Sequence, residues 1–346
     1  MSRITHLSRR DFLRTSAAAC AAAAGASTLI APRRAWATVQ AAPIRSIEAG
    51  ARGITVTFDF AHGMFPAPGE SYDDPTTIVY IPYHFQVRDD FEGLSLDTVV
   101  HFHGHRTTAG DAMREHELRE QLLDSEQNAI LVMPQGPERA SDSSGGNLDA
   151  QDGFLDFLTE VRKSVQQAEV SDALVAGGGR RITNQSRIGR VCLSGHSGAY
   201  RVISRCISRG GYNVNEVYLL DALYGEIDAF YNWVAERRQF ELLRERHKLV
   251  SFWQGNGDTA RNNQTLIDRF ESNGIPHVVE SGGERISRDA MIDFRAVFID
   301  QNQSHQGVAV RENPLRDCLY ASCLERYRAT TWFDAREGER PVDTRD

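Results

Sequence analysis

One decapeptide in this 346-residue chain joins a reactive side chain to the local geometry needed to use it. Val191-Cys192-Leu193-Ser194-Gly195-His196-Ser197-Gly198-Ala199-Tyr200 passes from an apolar strand run through small residues into a helical pattern. Small residues at 195 and 199 permit a sharp strand-to-helix turn, which holds Ser197 in a strained backbone conformation and presents its hydroxyl at the sheet edge. The helix that follows aims free N–H groups and a positive dipole end at developing negative charge. The chemistry available to such a residue is nucleophilic attack.

A serine nucleophile needs a base, and the base needs an orienting carboxylate. Ala296-Val297-Phe298-Ile299 ends in a polar loop that contains His305, the last histidine of the chain. His247 ends a charged helix and His277 opens a strand, so both are poorer bases. Two acids compete for the third role. Asp221 directly terminates the apolar run Val217–Leu220, and Asp258 follows the next strand through Gly255-Asn256-Gly257. Asp258-Thr259 also reads as an N-cap for a helix starting near Ala260, a complete structural reason for an aspartate there. The two acids stay open.

A different chemistry is written into Val99-Val100-His101-Phe102-His103-Gly104-His105-Arg106. On an extended strand, His101, His103 and His105 would share one face, as metal-ligating histidines sometimes do. Gly104 interrupts that strand, and no fourth ligand is evident, so packed or hydrogen-bonded histidines are the competing reading. No metal and no other cofactor is expected.

These residues need a sheet to carry them. Strand patterns fall at Ile54–Phe60, Thr77–Ile81, Thr98–Phe102, Ala129–Met133, Arg190–Leu193, Val214–Leu220, Leu249–Trp253, His277–Val279 and Arg295–Ile299. Helical patterns fall at Met113–Ser125, Phe154–Ala168, Gly198–Ser208, Ile227–Arg244, Ala260–Glu271 and Pro314–Arg328. Two strands come first without a helix between them; thereafter strand and helix alternate. The order predicts an α/β fold, a mainly parallel twisted sheet with helices on both faces and an antiparallel N-terminal start. Ligands of such sheets bind beyond the carboxyl ends of the strands, where Ser197, Asp221, Asp258 and His305 all fall.

Composition narrows the classes. With 41% hydrophobic and 25% charged residues the chain is ordinary globular protein. A net charge of -8 argues against a nucleic-acid partner, which selects a basic face, and against stable association with an anionic membrane. The first 37 residues hold six arginines against Asp11 alone, so the remainder is more acidic still. There Ser8-Arg9-Arg10-Asp11-Phe12-Leu13, an Ala-rich stretch to Ile30 and the small-x-small site Ala35-Trp36-Ala37 resemble a twin-arginine signal peptide. That resemblance implies export in folded form by the twin-arginine machinery, to the periplasm or beyond. Cys20 lacks the flanking residues of a lipidation site. The division expected is a signal peptide over 1–37, one catalytic domain over 38–333 and a polar tail over 334–346. Cys318 and Cys323, five apart in a helical pattern, can be bonded only if the helix ends between them.

With the elbow, the acids and His305 in this order, the chain resembles the α/β-hydrolase superfamily from about Ile54 to Gln306. Ala199 replaces the last glycine of its Gly-x-Ser-x-Gly motif. Thr77-Ile78-Val79-Tyr80-Ile81-Pro82 and Val99–Gly104 are similar to the opening of secreted esterases of the polyhydroxybutyrate-depolymerase and feruloyl-esterase type. The resemblance implies an oxyanion hole made by the N–H of Gly198 and that of His105 or Arg106, in the loop after His103-Gly104. It also implies an acid more often at the position of Asp258, with a minority of members placing it at that of Asp221. The expected activity is an exported serine hydrolase that cleaves a small or polymeric carboxylic ester through an acyl-enzyme. A peptidase or amidase with the same triad, an exported non-catalytic module, and a metal-binding protein using His101, His103 and His105 are the alternatives.

Overall fold

The computed structural model describes residues 39–90, 93–139, 144–237, 247–281 and 288–327. The signal peptide, Cys20 and the tail lie outside them. Eleven strands form one sheet: β1 (Ile44–Ala49), β2 (Gly53–Asp59), β3 (Thr76–Pro82), β4 (Arg88–Asp90), β5 (Gly93–Phe102), β6 (Ile130–Pro134), β7 (Arg187–His196), β8 (Glu216–Leu220), β9 (Lys248–Gln254), β10 (His277–Glu280) and β11 (Ala296–Gln301). Helices described between and after them are α1 (Ala109–Glu115), α2 (Leu118–Asp124), α3 (Gly153–Val165), α4 (Ala168–Ala176), α5 (Tyr200–Arg209), α6 (Ile227–Glu236), α7 (Asp258–Ser272), α8 (Arg288–Asp293), α9 (Gly307–Val310) and α10 (Pro314–Tyr320).

The strands run in the order β1-β2-β3-β6-β5-β7-β8-β9-β11-β10, with β4 paired to β5 at one end. β1, β2, β3 and β6 pair antiparallel, as β4 does with β5, and along the path from β6 to β10 every pair is parallel. This is the α/β-hydrolase arrangement that the sequence implied. β5 lies between β6 and β7 in the sheet although it precedes both in the chain, so the strand order reverses there, and ligands of such sheets bind beyond the carboxyl ends at that point.

Side chains alternate between two cores, one on each face. On β5, Val100 and Phe102 enter one and Val99 the other; on β8, Val217 and Leu219 oppose Tyr218 and Leu220. Because both faces are covered, these strands are apolar at successive positions rather than every second one. Each fully buried Val, Leu or Phe contributes roughly 1.5–3 kcal/mol, which fixes the strand ends firmly enough to hold a site.

Several elements differ from the sequence reading. The single helix expected over Met113–Ser125 is two, α1 and α2, because Glu117 adopts φ 51° and turns the chain between them. α4 follows α3 after a break at Gln166 and Gln167 and was not anticipated. The half-exposed β1 was missed as well. Helix α6 is described to Glu236, and the rest of the Ile227–Arg244 pattern lies outside the described residues. α10 ends at Tyr320, before Cys323, yet no disulfide joins Cys318 and Cys323, both of which are buried.

Candidate active site

β7 delivers Ser197, the candidate nucleophile. Its last residue, His196, is extended at φ -110°, and Ser197 then turns to φ 57° before a short 3-10 turn leads into α5. A side chain other than glycine is rare at such a φ, and holding one there costs on the order of 1–3 kcal/mol. Gly195 is what allows it. A Cβ on Gly195 would stand 2.6 Å from both Ala199 Cβ and Ile203 Cδ1. Ala199 therefore fits where the motif has glycine, because residue 195 leaves the room.

The loop after β5 passes directly over this turn. A Cβ on Gly104 would lie 2.8 Å from Ser197 Cβ and 3.1 Å from the His196 carbonyl oxygen. His103 pins the loop in place. Its Nε2 accepts the Gly136 N–H at 2.8 Å, so its Nδ1 carries the hydrogen and donates to the Gly104 carbonyl at 2.8 Å. Burial pushes the His103 ring toward the neutral form. The same carboxamide that meets His103, Gln135, accepts the Ala109 N–H and so ties α1 to the loop.

The three alternating histidines therefore do not share one strand face. β5 stops at Phe102, so His103 and His105 belong to the loop that follows. His101 is buried with Nδ1 3.1 Å from Ser194 Oγ. Among the described residues no three His, Cys, Asp or Glu side chains converge as a metal set would. Arg106, one of two candidates for an oxyanion donor, donates its N–H to the Glu138 carbonyl at 2.7 Å and turns away at φ 64°. His105 precedes it in the same loop, and Gly198 follows Ser197 at the elbow.

The loop after β11 brings His305 to Ser197, 108 positions away in sequence, with Nε2 2.9 Å from Oγ. Its other nitrogen, Nδ1, lies 2.6 Å from Oδ2 of Asp221. A carboxylate only accepts, so Nδ1 carries the hydrogen and Nε2 is left as the acceptor for the serine hydroxyl. Asp221 is buried, turns at φ 46° straight after β8, and is tied to β9 by its N–H on the Phe252 carbonyl at 2.9 Å. Its second oxygen receives the hydroxyl of Thr259 at 2.6 Å.

Asp258 takes no part in this arrangement, contrary to the placement that the resemblance in sequence made the more frequent. It is the first residue of α7, behind the N-cap Gly257, and its carboxylate is 65% exposed and paired with Arg261. The chain turns at Gly255, at φ 62°, and enters α7 through the N-cap Gly257; Thr259 is buried while Asp258 is exposed. Thr259 was not anticipated; the only sequence signal was its place directly beside a candidate acid. Also unanticipated were Tyr224, whose ring stands edge-on to His305 at 6.4 Å, and Tyr200, 6.2 Å from Tyr224. Burial and the nearby charges of Asp221 and Asp258 push the Tyr224 phenol up to about 12, so it remains a neutral ring beside His305.

His247 and His277 are accounted for by structure alone. The ring of His247 stacks on Trp233 at 4.4 Å, and its Nδ1 donates to the Trp233 carbonyl. His277 caps the start of β10 with Nδ1 3.0 Å from the Ile275 carbonyl.

A model of the twin-arginine translocation pathway signal sequence matches residues 6–26, so the chain is exported. Among the described residues no helix is long and apolar enough to cross a membrane. No curated protein sequence matches the chain. Among solved structures it is similar to a ferulic acid esterase, at 11% identity and TM-score 0.43 over 71% of this chain and 92% of that one. It is similar also to the S-formylglutathione hydrolase FrmB of Staphylococcus aureus, at 10% identity and TM-score 0.40 over 80% and 98%. A third is the fluorophosphonate-binding serine hydrolase FphF of the same species, at 12% identity and TM-score 0.41 over 77% and 99%.

Proposed function

We propose that the chain is an exported serine hydrolase that cleaves carboxylic esters through an acyl-enzyme. The observation that carries this reading is the continuous row Ser197 Oγ, His305 and Asp221, at 2.9 and 2.6 Å, on a strained strand-to-helix turn. Ser197 attacks the acyl carbon while Nε2 of His305 takes its proton. Asp221 holds the Nδ1–H tautomer and stabilises the imidazolium that forms. The oxyanion sits against the N–H groups of Gly198 and His105, which cost no reorganisation because turn and loop are already held by packing. The tetrahedral intermediate collapses, and the alcohol leaves with the proton from Nε2. Water then attacks the acyl carbon while Nε2 takes its proton, and the second intermediate releases the acid as Nε2 returns that proton to Ser197 Oγ.

The test is a fluorophosphonate together with p-nitrophenyl acetate. The purified mature protein should be labelled on Ser197 and should hydrolyse the ester. Ser197→Ala should abolish labelling and lower kcat by about 10⁴-fold or more, with an unchanged thermal midpoint. A Ser197→Ala variant that keeps more than a few per cent of the activity would overturn the assignment.

A further inference from the structure

The residue immediately before the nucleophile position is a histidine with no part in the triad. His196 is buried, and its Nε2 lies 2.9 Å from the main-chain oxygen of His305. A carbonyl oxygen only accepts, so His196 donates from Nε2. The two rings face each other at 4.6 Å and 35°. On its far side His196 meets His116 edge-on at 5.0 Å, and His116 in turn meets His101 at 6.2 Å. His116, the C-cap of α1, also reaches the side chain of Gln306, the residue after the candidate base.

We propose that His196 is a positioning residue, whose Nε2–H latches the His305 carbonyl and holds the base within reach of Ser197. This rests on the triad reading above. The latch is short in the relevant sense: it joins the main chain of the base to the residue adjoining the nucleophile. A slip of the loop between β11 and α9 relative to β7 is therefore resisted one residue from Oγ. Catalytic geometry tolerates little looseness, since displacements near 1 Å can cost on the order of 10²-fold. The latch also has the right charge state. Burial pushes His196 down to about 3 and keeps His116 and His101 in their neutral forms too. The imidazolium formed on His305 during attack thus meets a neutral ring at 4.6 Å rather than a second cation.

The experiment compares three variants of the mature enzyme on p-nitrophenyl acetate. His196→Phe keeps a ring against His305 and His116 but removes the donor. His196→Gln carries an amide N–H at nearly the reach of Nε2, whereas the amide of His196→Asn is too short. His196→Phe should lower kcat about tenfold to a hundredfold, leave KM within about twofold and slow fluorophosphonate labelling of Ser197 in parallel. His196→Gln should recover kcat to within a few-fold of wild type, and His196→Asn should not. If His196→Phe does not fold, the Gln and Asn variants decide alone. Equal kcat in these two, or wild-type kcat in His196→Phe, overturns the latch. An inactive Ser197→Ala beside a fully active His196→Phe removes the latch and leaves the triad standing. An active Ser197→Ala removes both.

Discussion

Thr259 donates its hydroxyl to Oδ1 of Asp221 at 2.6 Å while Oδ2 of the same carboxylate faces His305. Both oxygens of a buried acid are thereby engaged, and the carboxylate cannot rotate without losing one partner. Hydrogen bonds to a charged group are worth about 1.5–3 kcal/mol. Thr259→Val, which keeps the shape and removes the hydroxyl, should therefore lower kcat about tenfold or more with little change in KM, and Thr259→Ser should stay near wild type. Steady-state kinetics of the pair checks this; equal kcat in wild type and Thr259→Val would mean the hydroxyl orients nothing.

The two aspartates should behave in opposite ways. Asp221→Asn puts an amide where the tautomer of His305 is set and should lower kcat by about 10³–10⁴-fold. Asp258→Asn removes an exposed charge beside Arg261 and should be nearly silent in kcat, with a thermal midpoint within a degree or so. Kinetics and thermal unfolding of both proteins decide it, and a large kcat loss in Asp258→Asn would count against the row described above.

Acid should unfold the protein through its histidines. Burial lowers His196 to about 3 and His84 to about 4 from 6.5, and lowers His101, His103, His116 and His247 as well. Below pH 6.5 the unfolded chain takes up protons that the folded chain refuses. Stability is therefore complete above about 6.5 and falls as pH drops toward the folded values, by up to about 1.4 kcal/mol per pH unit for each such histidine. Glu160, Asp124 and Asp300, raised by burial, act in the opposite sense but are fewer among the described residues. Thermal midpoints measured from pH 7.5 to 5 should fall steadily; a midpoint that is flat over that range contradicts the burial of these rings.

Chelation should be without effect. Both ring nitrogens of His103 are engaged, one by the Gly136 N–H and one at the Gly104 carbonyl, and His101 is turned to Ser194. Dialysis against EDTA should leave ester hydrolysis unchanged, and elemental analysis should find no stoichiometric zinc. Zinc retained in stoichiometric amount together with activity lost to the chelator would move the chemistry to these histidines.

The strand, turn and helix around Ser197 were legible because apolar run, glycine spacing and helical pattern all lie within ten residues. The parallel sheet was legible for a similar reason: strands covered on both faces are continuous apolar runs. The acid was not. Asp221 and Asp258 both follow strands, and what separates them is direction, set by φ 46° at Asp221 and by the glycine turn that rotates Asp258 outward. Such rotations leave no periodic trace. β1 escaped because an edge strand with Arg45, Glu48 and Ala49 exposed carries too weak an alternation. The split between α1 and α2 escaped because Glu117, at φ 51°, is an ordinary helix-former by type.

The loop that holds His103 and the loop that holds His305 are about two hundred residues apart, and the turn bearing Ser197 lies between them. Each belongs to a different strand of the parallel portion of the sheet, so no single strand and loop contains the row of side chains. Contacts of such long sequence separation close late, after the local helices and hairpins have formed. On the reading proposed above, hydrolytic competence is acquired only once these long-range pairings have formed, and the twin-arginine signal at residues 6–26 puts that step before export.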